Sequence, residues 1–201
     1  MSHKDDQEFE RKWWGTCQNT YGEETKQLVY ARLMGLVNSH DGNSPYSFDV
    51  GGKSILDIGG GPSSLLLKCR NLGFGAVVDP CAYPPWVHQR YAEARVAFIY
   101  MSGESFVAKE RLAWFDEVWI YNVLQHTEDP EQIIRNAKST APALRIFEWI
   151  DIPPHEGHPH MLTEAMLNKW IDGIGTTGVL NGEGMCYGRY YSGAFIRRSH
   201  A

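Results

Sequence analysis

Apolar positions between residues 53 and 149 gather in five short, nearly unbroken runs: KSILDI (53–58), GAVVD (75–79), VAFIYM (96–101), EVWIYN (117–122) and ALRIFEW (143–149). Runs that do not alternate are expected of strands buried on both faces. Helix-length segments lie between them, near 62–71, 86–94, 104–112 and 129–138. That succession predicts a parallel sheet with helices on both faces, linked by right-handed crossovers. Upstream, EETKQLVYARLMGLV (23–37) sets Leu28, Ala31, Leu33, Leu36 and Val37 near helical spacing. Residues 5–12 read as a charged helical start or a frayed terminus, and NSHDGNSPYSFDVGG (38–52) as a loop. Downstream, a helix is expected over 161–174. The segments TTGVLNG and GRYYSGAFIRR follow with only a glycine-rich turn between them, and read as an antiparallel pair. There is no internal repeat and no low-complexity linker.

Length and composition narrow this picture. The chain has 201 residues, enough for one large domain, and 43% of them are hydrophobic, so a full core can be buried. The net charge of −5 speaks against a protein that tracks a nucleic-acid backbone. The four cysteines are scattered and form no C-x-x-C pair, which suits reduced thiols and a cytoplasmic setting. The charged start, MSHKDDQEFERK, does not read as a signal peptide, and no apolar run approaches a membrane span.

The stretch SILDIGGGPSSLLLKC (54–69) ends a strand in an acid and a glycine turn. In an open parallel sheet, ligands sit where strands end and helices begin. Glycine lets the backbone turn sharply and a ligand approach closely. Gly59, Gly60 and Gly61 occupy that place, and Asp57 precedes them. A carboxylate there would repel a diphosphate, which disfavours a nicotinamide dinucleotide, and would suit a ligand with a cationic end. The pattern Asp57-x-Gly59-x-Gly61, with Ser63 where a third glycine often stands, resembles the first motif of the class I, Rossmann-like S-adenosylmethionine-dependent methyltransferases. The plainer alternative is a generic strand–turn–helix connection.

Three further segments support the resemblance. Asp79, before Pro80, lies 22 residues beyond Asp57 (79 − 57) and could accept both ribose hydroxyls; taken alone it would read as a turn residue. In YMSGESF the resemblance puts adenine contacts on Gly103, Glu104 and Ser105, with Phe106 against the ring, although a helix cap at Ser102 explains the same residues. FDEVWIYNVLQHTEDPEQII resembles the fourth-strand segment of the small-molecule branch, and places Asn122, Val123, Gln125 and His126 beside the methyl donor. KSTAPAL stands where relatives often carry Pro-Gly-Gly before strand five. The resemblance spans residues 54 to about 135 and continues less distinctly beyond.

The resemblance implies one methyltransferase domain over 1–201: a helical lid or cap over 1–40, and a cofactor-binding core over 53–201. The sheet would have seven strands, mostly parallel, ending in an antiparallel hairpin. The cofactor would be S-adenosyl-L-methionine. Trp13, Trp14 and Tyr21 would fold over it, or else cover the sheet edge. Trp86 could stand near the ribose or pack into the core.

Candidate bases are His126, which could instead pack or cap a helix, and His155 and His160 in the loop FEWIDIPPHEGHPHMLTEA, which also holds Glu148, Asp151 and His158. A substrate-facing loop is the preferred reading of this cluster and zinc or iron the lesser alternative, because Pro159 breaks the spacing and no cysteine lies near; no metal ligand is assigned. Asn122 is not followed by the Pro-Pro-Tyr/Phe of amino-directed DNA enzymes, nor is there a cysteine for cytosine-C5 chemistry. The expected acceptor is a small molecule, such as a sugar or other hydroxylated metabolite, bearing an oxygen or nitrogen nucleophile. A protein or tRNA acceptor, or a non-catalytic cofactor-binding module, are the alternatives.

Overall fold

The computed structural model describes residues 8–9, 12–18, 20–39, 47–106 and 115–197. Helix α1 (Tyr21–Leu33) is followed by β1 (Phe48–Asp49), β2 (Ser54–Ile58), β3 (Cys69–Arg70), β4 (Phe74–Asp79), α2 (Pro85–Glu93), β5 (Val96–Tyr100) and β6 (Glu117–Tyr121). Then come α3 (Pro130–Thr140), β7 (Ala143–Trp149), α4 (Glu164–Ile171), β8 (Thr176–Asn181) and β9 (Tyr187–Ile196). Seven strands form one sheet in the order β5-β4-β2-β6-β7-β9-β8. The first five are parallel; β9 runs antiparallel to both β7 and β8 and so lies between them. This is the predicted class: an α/β sheet, mostly parallel, with an antiparallel C-terminal hairpin. Among the described residues, no helix is long and apolar enough to cross a membrane.

The five runs become strands because both faces are covered. Along β2, Leu56 and Ile58 join Ile120, Ile133 and Ile134 on one side, while Ile55 joins Tyr30, Val77, Trp119 and Phe147 on the other. Asp57 faces the second side, beneath α1. Two of the helices start where polar side chains accept the first free amides: Asp129 from Gln132 at α3, and Thr163 from Met166 at α4. Asp172, in the left-handed conformation, stops α4 before the predicted end at residue 174.

The expected helix at 62–71 is replaced by a single 3-10 turn, Leu65–Lys68, and then by β3, which pairs with β1. Leu65, Leu66 and Leu67 are consecutive rather than spaced for one helical face. The amides that would begin a helix go elsewhere: Ser64 N–H donates to Tyr91 Oη, Leu65 N–H to Tyr121 Oη and Leu66 N–H to Ser64 Oγ. The loop expected at 38–52 contains β1, and residues 107–112 of the expected 104–112 helix lie outside the described residues, as do most of 5–12.

Candidate active site

A cavity of about 500 Å³ opens at the carboxyl ends of the parallel strands, where the glycine turn follows β2. Its first half is built by the ends of β2, β4 and β6 and the loop after β5: Gly59, Gly61, Asp79, Gly103 and Asn122 line it. Gly59 has φ +74°, and a Cβ there would meet Val123 Cγ2 at 2.5 Å, so only glycine lets this turn pass beneath the β6 loop. Asp79 holds the next part of the turn. Its Oδ2 accepts from Gly61 N–H at 3.0 Å, and its Oδ1 from Cys81 N–H at 2.8 Å and Tyr83 Oη at 3.2 Å.

Asp57 does not line the cavity. It is fully buried under the turn, accepting hydrogen bonds on Oδ2 from Ser64 Oγ and Tyr121 Oη, while its Oδ1 has no hydrogen-bond partner. A Cβ on Gly60 would stand 2.7 Å from that Oδ2, so the turn sits directly on the acid. Burial pushes the Asp57 carboxyl up to about 7, against the two hydroxyl hydrogen bonds. The acid in this position therefore braces the glycine turn from below rather than facing a ligand's cationic end.

The second half of the cavity lies between α1, the β6 loop, the segment after β7 and the start of β9. His126, His155 and His158 line it together. Glu148, fully buried at the end of β7, accepts from Val123 N–H at 3.0 Å and Leu124 N–H at 3.1 Å, which anchors the loop that carries His126. His126 Nδ1 stands 2.8 Å from the Gly157 carbonyl oxygen, to which it donates as Nδ1–H. Nε2 is then the ring atom that carries the lone pair.

His155 and His158 exchange backbone hydrogen bonds across a hairpin whose Gly157 has φ +78°. The His158 ring stands 4.2 Å from both the His126 and His155 rings. Burial and those neighbouring imidazoles bring His158 down to about 3, so it is neutral at ordinary pH. A Cβ on Gly157 would lie 2.4 Å from the Phe9 ring, so the N-terminal segment rests on this hairpin. Trp13 and Trp14 line the cavity from the same segment.

Burial raises the Glu148 carboxyl to about 7, against its two amide donors and His126. An unfolded glutamate titrates near roughly 4.3. The native state therefore holds this proton more tightly, and the contribution of Glu148 to stability falls as pH rises between those values. Denaturant unfolding of wild type and Glu148→Gln should show the difference in their stabilities moving against wild type by on the order of 2 kcal/mol from about pH 4.5 to about pH 7.5. A constant difference would mean that Glu148 titrates alike in both states.

Of the residues singled out in the sequence, Gly59, Gly61, Asp79, Pro80, Gly103, Glu104, Asn122, Val123, His126 and His155 line the cavity. Gly60 points inward onto Asp57, and Ser63 Oγ donates to Glu24. Ser105 closes a turn with Ser102, Tyr21 is exposed at the start of α1, and His160 lies outside the lining, its place taken by His158. Glu104 lines the cavity, but its Oε1 accepts from the amides of Glu128 and Asp129 ahead of α3, and Phe106 packs into the core. Trp86 is partly exposed on α2 and does not line the cavity. Tyr30, Trp149 and Met185 do, and nothing in their local sequence marks them. Among the described residues, no group of three or more His, Cys, Asp or Glu side chains could hold a metal ion.

No protein-family model matches the chain, and no curated protein matches it. Solved structures do. The DhpI protein in complex with SAH is 11% identical over 98% of each chain, with a TM-score of 0.62. The 1,6-didemethyltoxoflavin-N1-methyltransferase of Burkholderia thailandensis, solved with 1,6-didemethyltoxoflavin and S-adenosylhomocysteine, is 15% identical over 94% of this chain and 82% of that one, with a TM-score of 0.57. A SAM-dependent methyltransferase of Thermotoga maritima is 12% identical over 94% and 93%, also at 0.57. The fold is that of the class I methyltransferases.

Proposed function

We propose that this protein transfers a methyl group from S-adenosylmethionine to a small molecule bearing an oxygen or nitrogen nucleophile. One observation carries the reading: a single cavity runs from the glycine turn and Asp79 to the imidazoles of His126, His155 and His158. The residues fit the cofactor. Asp79 is an acceptor at the end of β4 for ribose hydroxyls, and Gly61 offers open backbone, a Cβ there meeting nothing nearer than Trp14 at 3.6 Å. Asn122 and Val123 close the side toward β6. S-adenosylmethionine supplies a methyl group activated by its sulfonium. The protein's part is to hold donor and acceptor in line and to take up the acceptor's proton.

His126 suits that second task. With Nδ1–H committed to Gly157, its Nε2, which Gln125 Nε2 approaches at 3.4 Å, is the ring atom that can receive a proton. Trp13 and Trp14 line the same cavity, Trp14 beside the glycine turn. The four cysteines are free thiols, in keeping with a cytoplasmic enzyme.

Titration calorimetry tests the reading. S-adenosylmethionine and S-adenosylhomocysteine should bind with micromolar-scale affinity and NAD should not. Asp79→Asn should weaken both by about 1–3 kcal/mol, the cost of lost charge-assisted hydrogen bonds, with the fold intact. Binding of NAD alone overturns the reading. Cofactor binding with no turnover on any metabolite pool would make the protein a non-catalytic binding module.

A further inference from the structure

The glycine-turn acid that would suit a ligand's cationic end, Asp57, is buried beneath the turn and does not line the cavity. S-adenosylmethionine carries more charge than its sulfonium. Its amino-acid end bears an ammonium and a carboxylate on one carbon. Drawn out of water, a carboxylate needs a cation beside it and an ammonium needs an anion. Among the described residues that line the cavity, Lys26 is the one lysine or arginine, and the carboxylates are Glu23, Asp79 and Glu104. Two of these acids are placed elsewhere. Asp79 stands at the end of β4, on the side given to the ribose, and Glu104 accepts from the amides of Glu128 and Asp129 ahead of α3.

Glu23 is paired with Lys26 at 2.5 Å, and among the described residues neither side chain has another hydrogen-bond partner. Both are partly buried. Helix α1 brings the pair to the glycine turn. Glu24 accepts from Ser63 Oγ at 3.1 Å, and Gln27 Nε2 donates to the Ser63 carbonyl at 2.5 Å. The same stretch of helix is thus pinned two residues beyond Gly61. Glu23, Lys26 and Tyr30 follow one another at i, i+3 and i+7, on the face of α1 that lines the cavity. An anion and a cation side by side on this face match a ligand end whose two opposite charges share one carbon.

We propose that Glu23 and Lys26 form the subsite for the amino-acid end of the cofactor, Lys26 meeting its carboxylate and Glu23 its ammonium; this assignment rests on the methyl-transfer reading above. In the empty protein the two side chains neutralise each other. With the ligand in place each faces one further opposite charge, so the cavity wall stays neutral throughout.

Titration calorimetry with three ligands is the test. They are S-adenosylhomocysteine, its decarboxylated form, which keeps the ammonium, and 5′-methylthioadenosine, which has the nucleoside and thioether without either charge. Wild type should bind S-adenosylhomocysteine about 10–100-fold more tightly than 5′-methylthioadenosine, the worth of charge-assisted hydrogen bonds. Lys26→Met should weaken S-adenosylhomocysteine about 10-fold without weakening the other two, and Lys26→Arg should restore it. Glu23→Gln should weaken the decarboxylated form about 10-fold, since its ammonium then faces Lys26 alone. Undiminished 5′-methylthioadenosine binding shows that each variant is folded. Full S-adenosylhomocysteine affinity in Lys26→Met, full affinity for the decarboxylated form in Glu23→Gln, or loss of 5′-methylthioadenosine in the same proportion overturns the subsite. So does a wild type that binds S-adenosylhomocysteine and 5′-methylthioadenosine alike, as it would if the pair served the acceptor, and that comparison needs no variant. Failure of all three ligands to bind wild type overturns the methyl-transfer reading itself, and is distinct from binding that ignores the amino-acid end.

Discussion

Replacing His126 by Gln should lower turnover about 10²–10⁴-fold, the range for loss of a general base. S-adenosylhomocysteine affinity should hardly change. The expectation follows from the ring's setting: one nitrogen is tied to the Gly157 carbonyl at 2.8 Å, and the loop that carries the ring hangs from Glu148 through two amide hydrogen bonds. Gln preserves much of the bulk and can still donate to Gly157, so what it removes is the basic nitrogen. The rate of S-adenosylhomocysteine release with acceptor present reads the effect, and calorimetry checks the cofactor. His155 is exposed and its Nδ1 faces the Glu156 carbonyl at 2.9 Å, so His155→Gln is the comparison. If His155→Gln proved the more damaging, the base would sit on the hairpin and His126 would be its support. A loss of only a few-fold in both would leave positioning as the source of rate.

Removing Asp57 should be the most destabilising single change near the site. Asp57→Ala takes away the acceptor of Tyr121 Oη and Ser64 Oγ, both buried, and leaves a void beneath the glycine turn. Two orphaned hydroxyls and a small cavity together cost about 3–5 kcal/mol. For a domain of this size that is a fall in Tm of roughly 6–20 °C. Asp57→Asn, which keeps an acceptor, should cost much less, because burial raises the native carboxyl to about 7 and so already favours a neutral side chain at this place below that pH. Thermal melts of both variants, with cofactor titrated into the folded fraction, separate the two roles. A variant of unchanged stability and lost affinity would show that Asp57 serves the ligand directly.

The contrast between Asp57 and Asp79 shows what could be read along the chain. Both are strand-end acids 22 residues apart, and as local patterns they look alike. Asp79 lines the cavity as expected. Asp57 is claimed by Tyr121, 64 residues away, and no local pattern announces a partner so distant. The five parallel strands were legible because burial on both faces writes a continuous apolar run, and Ala143–Trp149 coincides with its run to the residue. Leu65 to Leu67 misled, since a helix needs spacing rather than apolarity alone, and two phenols from α2 and β6 take its amides. Among the histidines, spacing could not choose between His158 and His160. The choice falls to the positive φ of Gly157, which folds the hairpin so that residues 155 and 158 meet. Tyr30 had no local mark, because an aromatic residue on an amphipathic helix is ordinarily core.

The place of β9 between β7 and β8 sets an order of assembly. During synthesis, every residue that frames the half at the glycine turn emerges before residue 150. The wall formed by Met185, Cys186 and Tyr187 leaves the ribosome after all other lining residues, and it is held from two sides: by α1, where Arg32 pairs with Glu183 at 2.9 Å, and by the sheet through β9. Until β9 is in place β8 has no neighbour in the sheet, since its pairing is with β9. The half of the cavity at the glycine turn is thus complete in sequence well before the cavity's last wall, which arrives with the final strands.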